Sequence, residues 1–228
     1  MPALGLGTGG YGSGGPPQGQ QMVGIIDEAI DIGYRHIDTA SGYRNEEAVG
    51  QAINKSIANG CVKREDLFVT TKVFYEVPHV HDIPGHTLSS VRLSLNKLAL
   101  DYVDLMLFHH PSNDPAVNAQ VWLGLERALS EGLVKGIGVS NFNANQLERL
   151  LSAAQVVPAV NQIESHPKCS QRDLIEVCRR YGIQVTAYSP LGAGSLVRNE
   201  SIATIGRTYG KSAAQVMIRW QIQRGLAV

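Results

Sequence analysis

The sequence of 228 residues predicts an α/β fold, a (β/α)8 TIM barrel that is missing most of strand 8 and helix 8. Two observations predict it: short apolar runs alternate with segments of helical periodicity, and seven such units fill almost the whole chain. Strand–helix alternation with short links requires parallel strands and crossover helices, and a barrel of this kind takes about 250 residues. Because no linker, repeat or low-complexity block divides the chain, residues 1–228 are interpreted as one domain.

The strands are predicted from short runs rich in β-branched and apolar residues. In chain order the runs are residues 4–8, 36–40, 67–73, 103–109, 134–140, 159–164 and 184–190. Between them apolar residues recur at helical spacing, clearest in residues 22–30, 49–57, 88–98 and 174–181, so we expect seven following helices. Several helices are expected to end at a glycine, which accepts the left-handed conformation after a helix; these are Gly33, Gly60, Gly132, Gly182 and Gly225.

The last residues, 225–228, resemble a helix cap followed by the opening of an eighth strand. A barrel without most of that strand would leave two parallel edges unpaired and expose its apolar interior to water. We therefore expect a truncated chain.

Composition excludes several classes of function. The chain carries 20 Lys+Arg and 20 Asp+Glu, a net charge of +0, so no nucleic-acid or membrane partner is expected from bulk charge. No apolar run reaches the roughly 18 residues of a membrane span, and no signal peptide is visible. The cysteines, Cys61, Cys169 and Cys178, are odd in number and lack metal-ligand spacing, which predicts free thiols in a cytoplasmic protein.

Polar residues gather at the carboxyl ends of the predicted strands. The set comprises Asp38, Tyr43, Lys72, His109, Ser140, Asn141, Gln162, Glu164, Tyr188 and Ser189, with no role assigned to Glu164. In this class of barrel the carboxyl-terminal rim is the face where active sites form. The sequence therefore predicts a site at this rim.

Lys72 lies inside an apolar strand, where an unpaired ammonium is prohibitively unfavourable, and Asp38 on the adjacent strand is the natural partner. A structural ion pair alone would leave Tyr43 and His109 unexplained. A buried cation favours the ionised form of a neighbouring phenol, and a histidine beside it orients a carbonyl oxygen by a hydrogen bond. The four residues thus indicate proton donation to a substrate carbonyl.

Five stretches of this sequence resemble the aldo-keto reductases. They are residues 33–46 (GYRHIDTASGYRNE), 107–111 (LFHHP), 138–142 (GVSNF), 161–167 (NQIESHP) and 187–192 (AYSPLG). The resemblance implies reduction of aldehydes or ketones to alcohols by hydride transfer from NADPH, with NADH as the alternative, in a monomeric enzyme. It also implies that Tyr43 is the proton donor, tuned by Lys72 and Asp38, and that His109 orients the carbonyl.

The resemblance assigns the cofactor as well. It implies that Tyr188 stacks on the nicotinamide and that the carboxamide is bound by Ser140, Asn141 and Gln162. Ser189 and Leu191 are also assigned to the cofactor site. Three features depart from the family. The loop after Pro111 is short and reaches the next helix near Ala116, which indicates an open pocket and broad substrate tolerance. The segment that holds the adenosine ribose phosphate is expected directly after Val228, and His110 stands where the family often has Trp or Phe, which makes that pocket wall more polar.

Three other interpretations compete. Residues 5–10 satisfy G-x-G-x-x-G, but glycine and proline continue to Gly19, so no helix begins there as a dinucleotide-binding motif requires. His79, His81 and His86 lack metal-ligand spacing, and no metal is expected. A non-catalytic nucleotide-sensing relative, or an inactive truncated form, is the alternative to a reductase.

Overall fold

The computed structural model describes residues 1–10, 15–75 and 81–228. Seven parallel strands follow chain order around a nearly closed barrel, so each strand pairs with the next in sequence. They are β1 (Leu6–Gly7), β2 (His36–Asp38), β3 (Phe68–Val73), β4 (Leu105–Phe108), β5 (Ile137–Ser140), β6 (Val160–Glu164) and β7 (Gln184–Tyr188). Each lies within one of the seven predicted runs, and the barrel is confirmed.

The helices form the outer layer. They are α1 (Gly19–Asp31), α2 (Glu46–Ala58), α3 (Ile83–Leu98), α4 (Pro115–Ser130), α5 (Ala144–Leu151), α6 (Arg172–Arg180), α7 (Glu200–Thr208) and α8 (Ala213–Gln223). Within the described residues the prediction of seven helices was wrong by one, because α7 and α8 both follow β7 and are separated only by a turn at Gly210. No helix in the described ranges is long and apolar enough to cross a membrane.

Local sequence sets the helix boundaries. Side-chain oxygens of Asn143 and Ser212 accept hydrogen bonds from the first turns of α5 and α8, each within a reciprocal capping box. All five glycines predicted to end helices have positive φ, as that conformation requires; they are Gly33, Gly60, Gly132, Gly182 and Gly225.

The barrel has two apolar regions because alternate residues of each strand point to opposite faces. The main core lies between strands and helices and includes Val69, Met106 and Val139. A smaller cluster of Leu105, Leu107 and Val160, with Phe68 against it, fills the barrel interior. The polar residues of the carboxyl-terminal rim therefore stand above an apolar plug.

The eighth barrel position is occupied by Ala227 and Val228. Ala227 N donates to Val185 O at 3.0 Å and Ala227 O accepts from Ala187 N at 2.8 Å. On the other side Val228 N donates to Ala3 O and Gly5 N donates to Val228 O, both at 2.8 Å. The predicted opening of an eighth strand is confirmed, and the edges expected to be unpaired are here bridged from both sides.

Helices α2 and α3 approach closely at Gly50. A Cβ at this position would overlap the Leu98 carbonyl, and Asn54 Nδ2 donates to Leu98 O at 3.2 Å beside it. Gly50 is therefore required by packing.

We expect Gly50→Ala to destabilise the fold by about 1–3 kcal/mol, because a methyl group there must separate the two helices. Gly24→Ala on α1 is the matched control: its Cβ meets no atom within 4 Å, so the better helix propensity of alanine should stabilise by about 0.5–1 kcal/mol. Urea unfolding of both variants measures the difference. Equal effects at the two positions would contradict the packing argument.

Candidate active site

The predicted site residues meet at the carboxyl-terminal mouth of the barrel. A cleft of about 460 Å³ is lined by Asp38, Tyr43, His109, Ser140, Asn141, Gln162, Tyr188, Ser189 and Leu191. Lys72 is completely buried behind this surface. The ends of seven parallel strands thus bring together residues that lie far apart in the sequence.

Strand register places the lysine beside the aspartate. Asp38 pairs with Thr70, and Lys72 is two residues further along β3, so all three side chains are on the interior face. Lys72 Nζ donates a hydrogen bond to Asp38 Oδ1 and another to Thr39 O at 2.9 Å. The predicted ion pair is therefore present in the structure.

The charge of Lys72 is maintained by its partners. Burial by itself would lower the pKa of Lys72, but the charge of Asp38 and the neighbouring Tyr43 outweigh burial and raise it. Lys72 consequently stays an ammonium, and it lies 3.5 Å from the Tyr43 hydroxyl.

Tyr43 ends a short 3-10 helix, Ser41–Tyr43, directly after β2. Residues between β1 and α1 contact Tyr43 from one side. Gln18 Nε2 donates to Tyr43 O at 3.0 Å, and a Cβ on Gly9 would lie 2.9 Å from Tyr43 Cζ. Asn45 Nδ2 donates a hydrogen bond to Thr8 O in the same segment at 3.0 Å. The supporting roles of Gly9 and Gln18 were not predicted, and the only sequence signal was the glycine-rich run near the N-terminus.

His109 follows β4, with its ring edge-on to Tyr43 at a centroid distance of 5.7 Å. Burial, reinforced by the charge of Lys72 and by His110, lowers the pKa of His109 to about 3. Its ring is packed between neighbours, 4.1 Å from Phe74 and 4.8 Å from His110 between centroids. His109 is therefore a neutral, well-fixed imidazole at neutral pH.

A hydrogen-bonded chain joins the ends of β4, β5 and β7. Tyr188 OH donates to Asn141 Oδ1 at 2.8 Å, while Asn141 Nδ2 donates to His109 O at 3.0 Å and to Ser140 Oγ at 3.1 Å. Asn141 has a left-handed backbone, φ 65°. Both of its amide hydrogens are thus used within the protein, and only the oxygen Oδ1 has capacity left for a ligand.

Gln162 reaches across the barrel. Its Nε2 donates to Asp38 Oδ2 at 2.7 Å, and its backbone oxygen accepts from Ser140 Oγ at 2.9 Å. The resemblance implied only a cofactor contact for Gln162, so this bond to the ion pair was missed. No local pattern could have signalled it.

The structure bears on parts of the two competing motifs, the glycine motif and the histidine group. Residues Leu6–Gly7 form β1 and α1 begins only at Gly19, so in the described part no helix starts within the glycine motif. Among the residues that the structure describes, no three His, Cys, Asp or Glu side chains are grouped to hold a metal. His79 lies outside the described residues.

Comparisons with known proteins show which family this chain resembles. The sequence profile of the Aldo/keto reductase family matches residues 3–228. An uncharacterized oxidoreductase, YtbE, of Bacillus subtilis is 42% identical over 92% of this chain and 72% of its own length. A glyoxal reductase of the same organism is 42% identical over 91% of this chain and 72% of its own length.

Solved structures show the same fold. The silkworm aldo-keto reductase AKR2E5, in complex with NADPH, superposes with a TM-score of 0.90 and is 39% identical, over 100% of this chain and 74% of its own. The Bombyx mori AKR2E4 in complex with NADP gives a TM-score of 0.87 at 38% identity, over 100% and 78%.

The low pKa of His109 makes stability depend on pH. The unfolded chain binds a proton at this residue below about pH 6.5, but the folded chain does so only near pH 3, so stability falls as the pH drops through that interval. We expect His109→Gln to reduce this loss by up to about 1.4 kcal/mol per pH unit. Burial also lowers the pKa of His36. His36 therefore contributes to the loss of stability in the same pH interval, equally in the wild type and in the variant.

Unfolding free energies measured from pH 7 to pH 4 provide the test. His81→Gln, at an exposed histidine, is the matched control. If His109→Gln and the wild type have parallel profiles, His109 is protonated in the folded protein and this account of the site is wrong.

Proposed function

The chain belongs to the Aldo/keto reductase family, and from this premise we propose that it reduces aldehydes and ketones to alcohols with NADPH, using Tyr43 as the general acid. The observation that carries the proposal is the buried Lys72–Asp38 pair, whose ammonium lies 3.5 Å from the Tyr43 hydroxyl. A small carbonyl compound is the substrate class, in keeping with the glyoxal reductase among the relatives.

His109, Tyr43 and Lys72 have different roles in the reduction of the substrate carbonyl. Neutral His109 donates a hydrogen bond to the carbonyl oxygen and orients it beside Tyr43. As the carbonyl carbon is reduced, the oxygen takes the proton of the Tyr43 hydroxyl and becomes the alcohol. The phenolate left behind is stabilised by Lys72 and regains its proton from solvent.

The residues of the cleft fit a nicotinamide cofactor. Tyr188 offers a half-buried aromatic ring, and Gln162 and Ser140 offer amide and hydroxyl groups next to it. The loop after β7 has left-handed backbone at Ser189 and Gly192, which curves it around the cleft beside Leu191. The cofactor, when bound, supplies the hydride.

NADPH is proposed over NADH because the two silkworm reductases are in complex with NADPH and with NADP. Gln162, Ser140 and Asn141 would face the nicotinamide, which NADH shares. Their contacts therefore act on both cofactors alike.

We expect Tyr43→Phe to lower kcat for aldehyde reduction by about 10²–10⁴-fold while NADPH binding is retained, because the proton donor is lost and the cofactor contacts remain. The loss of NADPH absorbance measures turnover, and quenching of protein fluorescence measures binding. Tyr102→Phe is the matched control, since Tyr102 packs through its ring between Arg64 and Lys135.

The same assays separate the alternatives. A wild-type chain that binds NADPH but reduces no aldehyde is a nucleotide sensor. A chain that binds none and lacks fixed tertiary structure is an inactive form. Full activity of the Tyr43→Phe variant would refute the role of the phenol.

A further inference from the structure

The bond between Gln162 and Asp38 spans the interior of the barrel. Asp38 ends β2 and Gln162 lies in β6, four strands away in the sheet order. Gln162 Nε2 lies 2.7 Å from Asp38 Oδ2, and Gln162 is 5% exposed. The two oxygens of Asp38 therefore have different donors: Oδ1 accepts from Lys72 and Oδ2 from Gln162.

We propose that Gln162 is a positioning residue for the acid: it holds Asp38 from the opposite wall and shares the negative charge of the carboxylate, so that Lys72 acts more strongly on Tyr43. This inference rests on the proposed function of Tyr43 as general acid. It adds to Gln162 a role toward the ion pair that is separate from any contact with the nicotinamide.

The position of the Gln162 side chain is fixed from its backbone. Its carbonyl oxygen accepts from Ser140 Oγ and from Asn141 N, both at 2.9 Å, which joins β6 to the end of β5. With the backbone held and Nε2 committed to Asp38, the oxygen Oε1 is the group left to accept a hydrogen bond from a ligand in the cleft. One amide can thus serve both the carboxylate and a bound cofactor.

Electrostatics gives the direction of the effect. In a buried site a hydrogen bond to a carboxylate disperses its charge and is stronger than in water. Without that donor Asp38 would pair more tightly with Lys72, and its own charge would repel a phenolate at Tyr43 more strongly. Both changes make Tyr43 harder to ionise.

The other titratable groups around Tyr43 do not mask the effect of Gln162 on its ionisation. Lys72 faces it from β3 and Asp38 from β2, while His109 and His110 follow β4. Burial lowers the pKa of both histidines, so they are neutral when the phenol titrates. Arg44, the next residue in the chain, is exposed to solvent. The field at the phenol therefore depends chiefly on the Lys72–Asp38 pair.

The test replaces Gln162 by Leu and follows ionisation of Tyr43 in the cofactor-free protein. The ultraviolet difference absorption of tyrosinate is recorded against pH, and the matching spectra of a Tyr43→Phe background isolate Tyr43 among the 8 tyrosines. We expect Gln162→Leu to raise the pH of Tyr43 ionisation by about 0.5 unit or more. The basic limb of the pH profile of kcat should move in the same direction.

Ser140→Ala is the matched control, because Ser140 lines the cleft without touching Asp38, and Asn141 N still holds the Gln162 carbonyl oxygen in this variant. It should leave the ionisation of Tyr43 unchanged while weakening NADPH binding. An unchanged Tyr43 titration in Gln162→Leu, or an equal shift in Ser140→Ala, overturns the inference.

Two further measurements keep the outcomes distinct. Circular dichroism verifies that each variant is folded, and Gln162→Met, which keeps an unbranched side chain of similar length, replaces the leucine variant if that one is not. If the wild type reduces no aldehyde, the proposed function fails, whereas the tyrosinate titration still decides whether Gln162 acts on the Lys72–Asp38–Tyr43 unit.

Discussion

The buried ammonium of Lys72 is the constraint on which the site depends. A cation in the interior of a barrel is tolerated only when it is paired and hydrogen-bonded, and Lys72 has both Asp38 and the Thr39 carbonyl as partners. This requirement fixes the register of β2 against β3 and places Asp38 at the end of its strand. The phenol of Tyr43 then lies within reach of a positive charge that water does not screen.

The side chains around the ion pair are uncharged, so the ammonium of Lys72 acts mainly on Asp38 and Tyr43. His109 stays neutral because it is buried near Lys72, and its ring is held by Phe74 and His110. Beneath the polar groups lie Leu105, Leu107 and Val160 together with His36, whose pKa is lowered by burial, so that it stays neutral. Fold and chemistry are thus linked, since the plug that stabilises the barrel also strengthens the electrostatics above it.

Much of the fold could be predicted from sequence, because the periodicity of strands and helices and the terminal glycines are local signals. The rim residues were also predictable, since carboxyl ends of parallel strands must converge. The presence of two helices after β7 was not predictable, because α7 is short, Glu200–Thr208, and contains Gly206, a residue that disfavours a helix. The bond from Gln162 to Asp38 was not either: it joins residues on opposite walls, and only the closed geometry brings them together.

The bridging of β7 and β1 by Ala227 and Val228 has a consequence for how the molecule assembles. These residues bond to Val185 and Ala187 on one side and to Ala3 and Gly5 on the other. The contacts with Ala3 and Gly5 join segments separated by nearly the whole chain, and such closures carry the greatest entropic cost. We therefore expect the barrel to close late in folding, and we expect the amides of Gly5 and Val228 to be among the first in the sheet to exchange hydrogen with solvent.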